Sequence, residues 1–365
     1  MDFKELCSTI EINSYTKNKV GVDEYGRIFT LWMESLGYTT HRHRREKIGD
    51  HLHFTTSRRE GRCILLLGHL DTVFPENTFK SFHEDQHWIY GPGVCDMKGG
   101  NYVALTALRA IHTKYGSIEN IDMLLVSDEE TGSDDSKSLT TDLAKNYDAC
   151  LVFEAAGKNN EVVIARKGVA TLVIDFIGKA AHAGNKYIEG CDANLAAAQT
   201  LIHLTNLTDL KAGTTVNAGK MKGGLGANTI SPHAQLVVEF RFTSATERDR
   251  VLCAIEKLVA NQSILGVSAT MSGGIQREVM EQTEKQQQLL KEIETVLGYP
   301  LLTEKRGGVS DANTVSSVGI PTLDGFGPFG DGDHTIKERA CKASFEQRIN
   351  EVTKILNHFT ANTVV

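Results

Sequence analysis

Three short, nearly unbroken apolar runs punctuate the first half of the chain: Cys63-Ile64-Leu65-Leu66-Leu67-Gly68, Ile121-Asp122-Met123-Leu124-Leu125-Val126 and Ala149-Cys150-Leu151-Val152-Phe153. Runs of this length without polar alternation read as strands buried on both faces, as in a mostly parallel sheet covered by helices. Helical periods surround them. Over 15–36 the residues Val20, Tyr25, Ile28, Phe29, Trp32, Met33 and Leu36 recur at helical spacing, and Gly37 is a natural stop. Over 102–115 Val103, Leu105, Ala107, Leu108 and Ile111 form an inner stripe. From Lys167 the texture changes: 170–178 is a β-branched strand, 192–205 an alanine- and leucine-rich helix, and 214–224 leads towards Asn228. Then 235–243 alternates with period two, 247–260 is a second helix and 267–271 a last strand. A helix over 284–297, a short strand over 320–324 and a helix over 345–359 close the chain. The expected fold is α/β. Residues 1–166 and 274–365 build a domain with a mostly parallel sheet flanked by helices, and 167–273 form an inserted, smaller α+β domain.

Composition agrees with two globular domains. The 365 residues are too many for one ordinary core, and 41% hydrophobic with 23% charged residues excludes a disordered or fibrous chain. A net charge of −7 argues against nucleic acid or an anionic membrane as the main partner. The opening Met1-Asp2-Phe3-Lys4-Glu5-Leu6 has no basic region followed by an apolar one, and no later run approaches a membrane span. Seven scattered cysteines, Cys7, Cys63, Cys95, Cys150, Cys191, Cys253 and Cys341, form no CxxC. A cytoplasmic enzyme with reduced thiols is the expectation.

The chemistry gathers where the apolar runs end. Ligands in open α/β sheets collect beyond the carboxyl ends of the strands, and each run here delivers a His, Asp or Glu at its exit. The first is followed by His69-Leu70-Asp71, where side chains two apart face the same way, so that Asp71 can accept from the imidazole. By itself this is also what a surface turn looks like. The second ends in Asp128-Glu129-Glu130, which a solvated helix start would also carry; adjacent glutamates can instead divide labour, one binding metal and one taking a proton from water. The third ends in Glu154. Between them Gly91-Pro92-Gly93-Val94-Cys95-Asp96-Met97-Lys98-Gly99-Gly100 holds one carboxylate, Asp96, between glycine turns at the mouth of a helix, a way to aim a ligand rather than let it swing.

Together, GHLDTVFP, GPGVCDMKGG, SDEETGS and VFEA, with His334 downstream in GDGDHTIKE, resemble the co-catalytic zinc metallopeptidase family. That family comprises glutamate carboxypeptidases, acetylornithine deacetylase, succinyl-diaminopimelate desuccinylase, aminoacylase and related dipeptidases. The resemblance implies a zinc-peptidase-like catalytic domain with a lid and dimerisation domain inserted in it. It implies that His69 and Glu154 bind one metal, Glu130 and His334 the other, and Asp96 bridges them, with Glu129 the general base and Asp71 the partner of His69. Two Zn²⁺ ions, for which Co²⁺ or Mn²⁺ could substitute, are the implied cofactors. Their charge is balanced by Asp96, Glu130, Glu154 and a hydroxide. A non-proline cis bond is implied between Asp96 and Met97.

The resemblance makes His182 of GKAAHAG in the insert an oxyanion stabiliser acting across a homodimer, and Asn228 and Arg241 in the insert, with Arg277 just beyond it, substrate-binding residues. Arginine forks suit a terminal carboxylate. Gln276-Arg277-Glu278-Val279-Met280-Glu281 departs from the family by lacking the proline after the arginine and placing Glu278 beside it. The amides of Gly307-Gly308-Val309-Ser310-Asp311-Ala312-Asn313, a loop opening a helix, could hold an anionic group. The expected activity is hydrolysis of an amide bond next to a free carboxylate in a small peptide or N-acyl amino acid, first as a glutamate-type carboxypeptidase. Alternatives are an N-acyl-amino-acid deacylase, a dipeptidase, a non-catalytic metal or peptide binder, and an amidase with Cys95 as nucleophile.

Overall fold

A computed structural model describes residues 2–79 and 82–361. They form two compact units. The first joins the residues up to Ala165 to Gln282–Arg306 and the segment from Ser310 onward; the second is Arg166–Glu281 with Gly307–Val309.

In the first unit the three apolar runs become adjacent strands. The six-stranded sheet has the order Thr39–His43, His51–Thr55, Ile121–Val126, Ile64–His69, Ala149–Val152, Thr322–Leu323. Ile64–His69 lies in the middle, parallel to both flanking runs, and Thr322–Leu323 is parallel to Ala149–Val152. Every residue of Ile64–His69 and Ile121–Val126 is buried, as strands covered on both faces require. Asp122 is the one carboxylate within these strands, and it is satisfied: it accepts from the Thr56 amide, from Arg58 and from the Tyr147 hydroxyl. An antiparallel hairpin, Thr39–His43 with His51–Thr55, closes one edge.

Helices bury their apolar stripes on this sheet. Lys19–Ser35 starts at Asn18, whose side chain accepts from the Gly21 amide, and packs Val22, Tyr25, Phe29 and Met33 into the core. The next helix begins at Lys98, four residues before the expected 102, because Gly99 and Gly100 belong to it. A Cβ on Gly100 would lie 1.8 Å from the carbonyl oxygen of Phe153, so only glycine lets this helix abut the end of the third strand. A small antiparallel sheet, ordered Gly330–Asp331, Arg339–Cys341, Trp88–Tyr90, His83–Glu84, flanks the segment bearing His334 on both sides and leads into the turn bearing Asp96.

The second unit is a four-stranded antiparallel sheet in the order Thr215–Gly223, His233–Phe242, Gly168–Ile177, Ser268–Arg277. Alternate residues Ala170, Leu172, Ile174 and Phe176 face a core shared with the helices Ala193–Thr205 and Ala245–Ala260, which start at the caps Asp192 and Ser244. The last strand runs through Arg277 rather than ending near 271, and reciprocal main-chain bonds between Arg166 and Met280 close the unit beyond it. Among the described residues no helix is long and apolar enough to cross a membrane, and all seven cysteines are free thiols.

Candidate metal centre

Because the three middle strands are parallel, their carboxyl ends share one edge of the sheet. His69 is the last residue of its strand, Asp128, Glu129 and Glu130 follow Val126, and Glu154 lies just past Val152. Asp96 reaches the same point from the turn before the Lys98–Tyr115 helix, and the Asp96–Met97 peptide bond is cis, as expected. The helix is tied to the strand end by Asn101, whose amide donates to the carbonyl of His69 at 2.7 Å.

Two triads result. In one, Asp96 Oδ1 is 3.1 Å and Glu154 Oε1 3.7 Å from His69 Nε2; in the other, Asp96 Oδ2 and Glu130 Oε2 are each 3.2 Å from His334 Nε2. In each triad the ligand atoms lie within 4.8 Å of one another. One oxygen of Asp96 serves each triad, the arrangement of a bridging carboxylate.

His69 is oriented by its other nitrogen. A carbonyl can only accept, so Nδ1–H donates to the main-chain oxygen of Asp71 at 3.0 Å, and Nε2 faces Asp96 and Glu154. A lone pair set against carboxylate oxygens is repulsive unless a proton or a cation sits between them, and this is the fit expected of a metal site. The Asp71 carboxylate stands 3.4 Å from the same Nδ1, while its Oδ2 accepts from the Thr16 hydroxyl at 2.7 Å and the Glu130 amide at 3.2 Å. Asp71 thus touches both triads.

Protonation follows from this crowding. Burial, then Asp96, pushes Glu130 up to about 8. Burial and the nearby Glu154 raise Glu129 well above the carboxylate range. Burial works against the charge of Asp96 as well, but the imidazoles of His334 and His69 outweigh it and hold its carboxyl below its ordinary value. Hydrogen bonds to Asp96 and Glu130 raise His334 to about 11. Burial opposes a charge on His69, yet Asp71 and Asp96 raise it well above the imidazole range. The imidazoles supply the positive charge that the carboxylates demand, and a divalent cation meets that demand directly.

Glu338, absent from the sequence reading, holds the Asp96 turn. It is fully buried, and its carboxylate accepts from the amides of Gly93, Cys95 and Asp96 at 3.0, 3.0 and 3.1 Å. Its place four residues past His334 was the available signal. Cys95 points its thiol towards Glu338 at 3.4 Å, and burial with that neighbour raises the thiol well above its ordinary value. It is protonated and enclosed, the opposite of a nucleophilic cysteine.

The remaining candidates lie in the second unit. His182 and Asn228 sit side by side, with the Ala183 amide donating to the Asn228 carbonyl at 2.9 Å. His182 Nδ1 accepts from the amides of Gly184 and Asn185, which leaves the ring proton on Nε2. Arg241 and Arg277 both register opposite Val169 from the two adjoining strands. Arg241 donates to the Gly307 carbonyl at 3.0 Å and pairs with Glu239, and Arg166, another arginine missed in the sequence, donates to the Gly308 carbonyl at 3.2 Å. Glu278 pairs with Arg248 at 2.8 Å.

The sequence pattern of Peptidase family M20/M25/M40 matches residues 65–358, most of the chain and every residue of both triads. The protein belongs to the M20 peptidase family. It is accordingly a metal-dependent hydrolase, a metallopeptidase or amidohydrolase, and its mostly parallel α/β fold with a smaller α+β unit is that of M20 peptidases. The chain is 27% identical to carboxypeptidase G2 of Pseudomonas sp. (strain RS-16) over 348 residues, covering 92% of this chain and 83% of the relative. It is 26% identical to N-acetyl-L-citrulline deacetylase of Xanthomonas campestris pv. campestris, covering 79% and 80%. Among solved structures, aminopeptidase PepT from Bacillus cereus superposes with a TM-score of 0.81 over 98% of this chain and 96% of its own, at 21% identity. The M20 relatives thus include both a carboxypeptidase and a deacetylase.

Proposed function

We propose that this M20 protein is a dinuclear zinc amidohydrolase that cuts an amide bond beside a free carboxylate, foremost as a glutamate-type carboxypeptidase. The observation that carries the reading is Asp96 with one oxygen in each of two His–carboxylate triads. His69 and Glu154 would hold one ion, His334 and Glu130 the other, and Asp96 both. Ions bound there would polarise the scissile carbonyl and acidify water.

The chain's own groups do the rest. Glu129 is not a member of either triad, and burial and Glu154 make its carboxylate a stronger base than usual. It takes the proton of the attacking water and returns it to the leaving amine. Asp71 fixes the tautomer of His69 through its main-chain oxygen and steadies Glu130 by accepting its amide. His182, with its proton set on Nε2, donates to the oxyanion across a homodimer built on the second unit. Arg241 and Arg277 receive the substrate carboxylate, and Asn228 helps hold the substrate. Likeness to carboxypeptidase G2 along 92% of the chain supports the carboxypeptidase reading. Free thiols throughout suit a reducing compartment, the cytoplasm.

A second reading, an N-acyl-amino-acid deacylase, is favoured by the likeness to a deacetylase over 79% of the chain and uses the same residues. A panel of N-acyl-glutamates, N-acetyl-ornithine and simple dipeptides, assayed with chelator and again after zinc, separates them. Preference for the N-acyl-glutamates supports the first reading, preference for N-acetyl-ornithine the second. Activity indifferent to chelation would sink both.

A further inference from the structure

Glu338 stands where two ligand-bearing segments meet. The turn that presents Asp96 needs unusual backbone, with Gly91 at φ +154° and Gly93 at φ +79°, and it leaves amides at Gly93, Cys95 and Asp96 pointing inward. All three converge on one buried carboxylate, Oε2 taking Gly93 and Oε1 taking Cys95 and Asp96. The main chain of Glu338 adds to this: its carbonyl accepts from the Gly91 amide at 3.3 Å and its amide donates to Thr335 at 3.1 Å. That last bond closes the turn that follows His334, whose own backbone is left-handed at φ +60° and whose side chain is 57% exposed. Immediately beyond, Arg339–Cys341 pairs with Trp88–Tyr90, the strand that feeds the Asp96 turn.

We propose that Glu338 is a positioning residue that sets Asp96 and His334 at their mutual distance, so that the triad they share with Glu130 is assembled before metal arrives. This rests on the metal-binding reading above. A carboxylate is needed because both of its edges meet N–H donors. The amide of a glutamine would offer one acceptor edge and turn an NH₂ group against donors on the other, so the turn could no longer be held on both sides.

The test uses the whole 365-residue chain stripped of metal and titrated with Co²⁺, following affinity by chelator competition and geometry by visible absorption. In Glu338→Gln the Co²⁺ affinity should fall about 10- to 100-fold, as is typical when a group orienting a metal ligand is lost, with an altered absorption band. Glu338→Asp, which keeps the charge but withdraws it by one methylene, should recover part of the affinity. A role confined to folding would lower the melting temperature of the metal-free protein and leave affinity and spectrum of the folded fraction unchanged. Folded Glu338→Gln with wild-type affinity and spectrum overturns the proposal. Should Glu338→Gln not fold, Glu338→Asp decides: weakened Co²⁺ binding supports the proposal and wild-type binding overturns it. Wild-type protein that takes up no Co²⁺ would remove the metal reading and this proposal together, whereas normal uptake with an indifferent Glu338 removes this proposal alone.

Discussion

Replacing His53 by Phe should make the protein markedly less sensitive to mild acid. His53 is 7% exposed on the hairpin strand beside Ile121–Val126. Its Nε2–H donates to the Tyr147 oxygen at 2.8 Å, and that hydroxyl donates onward to Asp122 at 2.7 Å. Burial lowers its pKa from 6.5 to about 4; Asp122 pulls the other way, while His41, His43 and Arg58 add to the lowering. The unfolded chain therefore binds a proton near 6.5 that the folded chain refuses until about 4. Stability is complete above the higher value and falls with pH through that window, because the unfolded state holds more protons there. At pH 4.5 the loss amounts to about 2 to 3 kcal/mol from this group alone. Phenylalanine keeps the ring volume and cannot titrate. Urea unfolding of metal-free wild type and His53→Phe at pH 7 and 4.5 measures the difference, since the other titrating groups are shared. Parallel losses in the two proteins would refute the reasoning.

Three further outcomes are expected. Glu129→Gln should lower kcat by about 10²- to 10⁴-fold while metal content stays that of the wild type, because the residue moves a proton and ligates nothing; parallel loss of metal and activity would contradict that division of labour. Gly100→Ala should destabilise by about 1 to 3 kcal/mol or more in thermal unfolding, since its Cβ would have to displace the Phe153 carbonyl beside Glu154; an unchanged melting temperature would show the helix end to be loosely packed. Inactive His182→Ala mixed with inactive Glu129→Gln should regain activity through mixed dimers if the imidazole acts on the partner's site, and no recovery on subunit exchange would remove the role in trans.

Much of the centre was legible because parallel strands bring their ends together. Once Ile64–His69, Ile121–Val126 and Ala149–Val152 are read as buried strands, His69, Glu129, Glu130 and Glu154 must share an edge. What escaped lacked an apolar period. The helix start at Lys98 is polar and glycine-rich, and its signal is a close approach to Phe153 that exists only in three dimensions. The hairpin carries four histidines: Thr39–His43 has no apolar residue at all, and His51–Thr55 alternates only two, Leu52 and Phe54, between polar ones, too short a pattern to announce a strand. Glu338 sits in a hydrophilic stretch and acts through main-chain amides of a turn more than two hundred residues away in the chain, a partner that no local pattern reveals. Asp71 was legible as a partner of His69, but its contact with Glu130 depends on where the second strand ends.

The central claim is that Asp96 joins two metal-binding triads into one hydrolytic centre, and zinc titration of the metal-stripped protein tests it most directly. Hydrolysis of an N-acyl-glutamate, or of whichever panel amide is turned over fastest, should be negligible without metal and recover as two equivalents bind, and Asp96→Asn should lose tight binding of both. Full turnover by the stripped protein, or none of the panel turned over with two equivalents bound, would contradict the account.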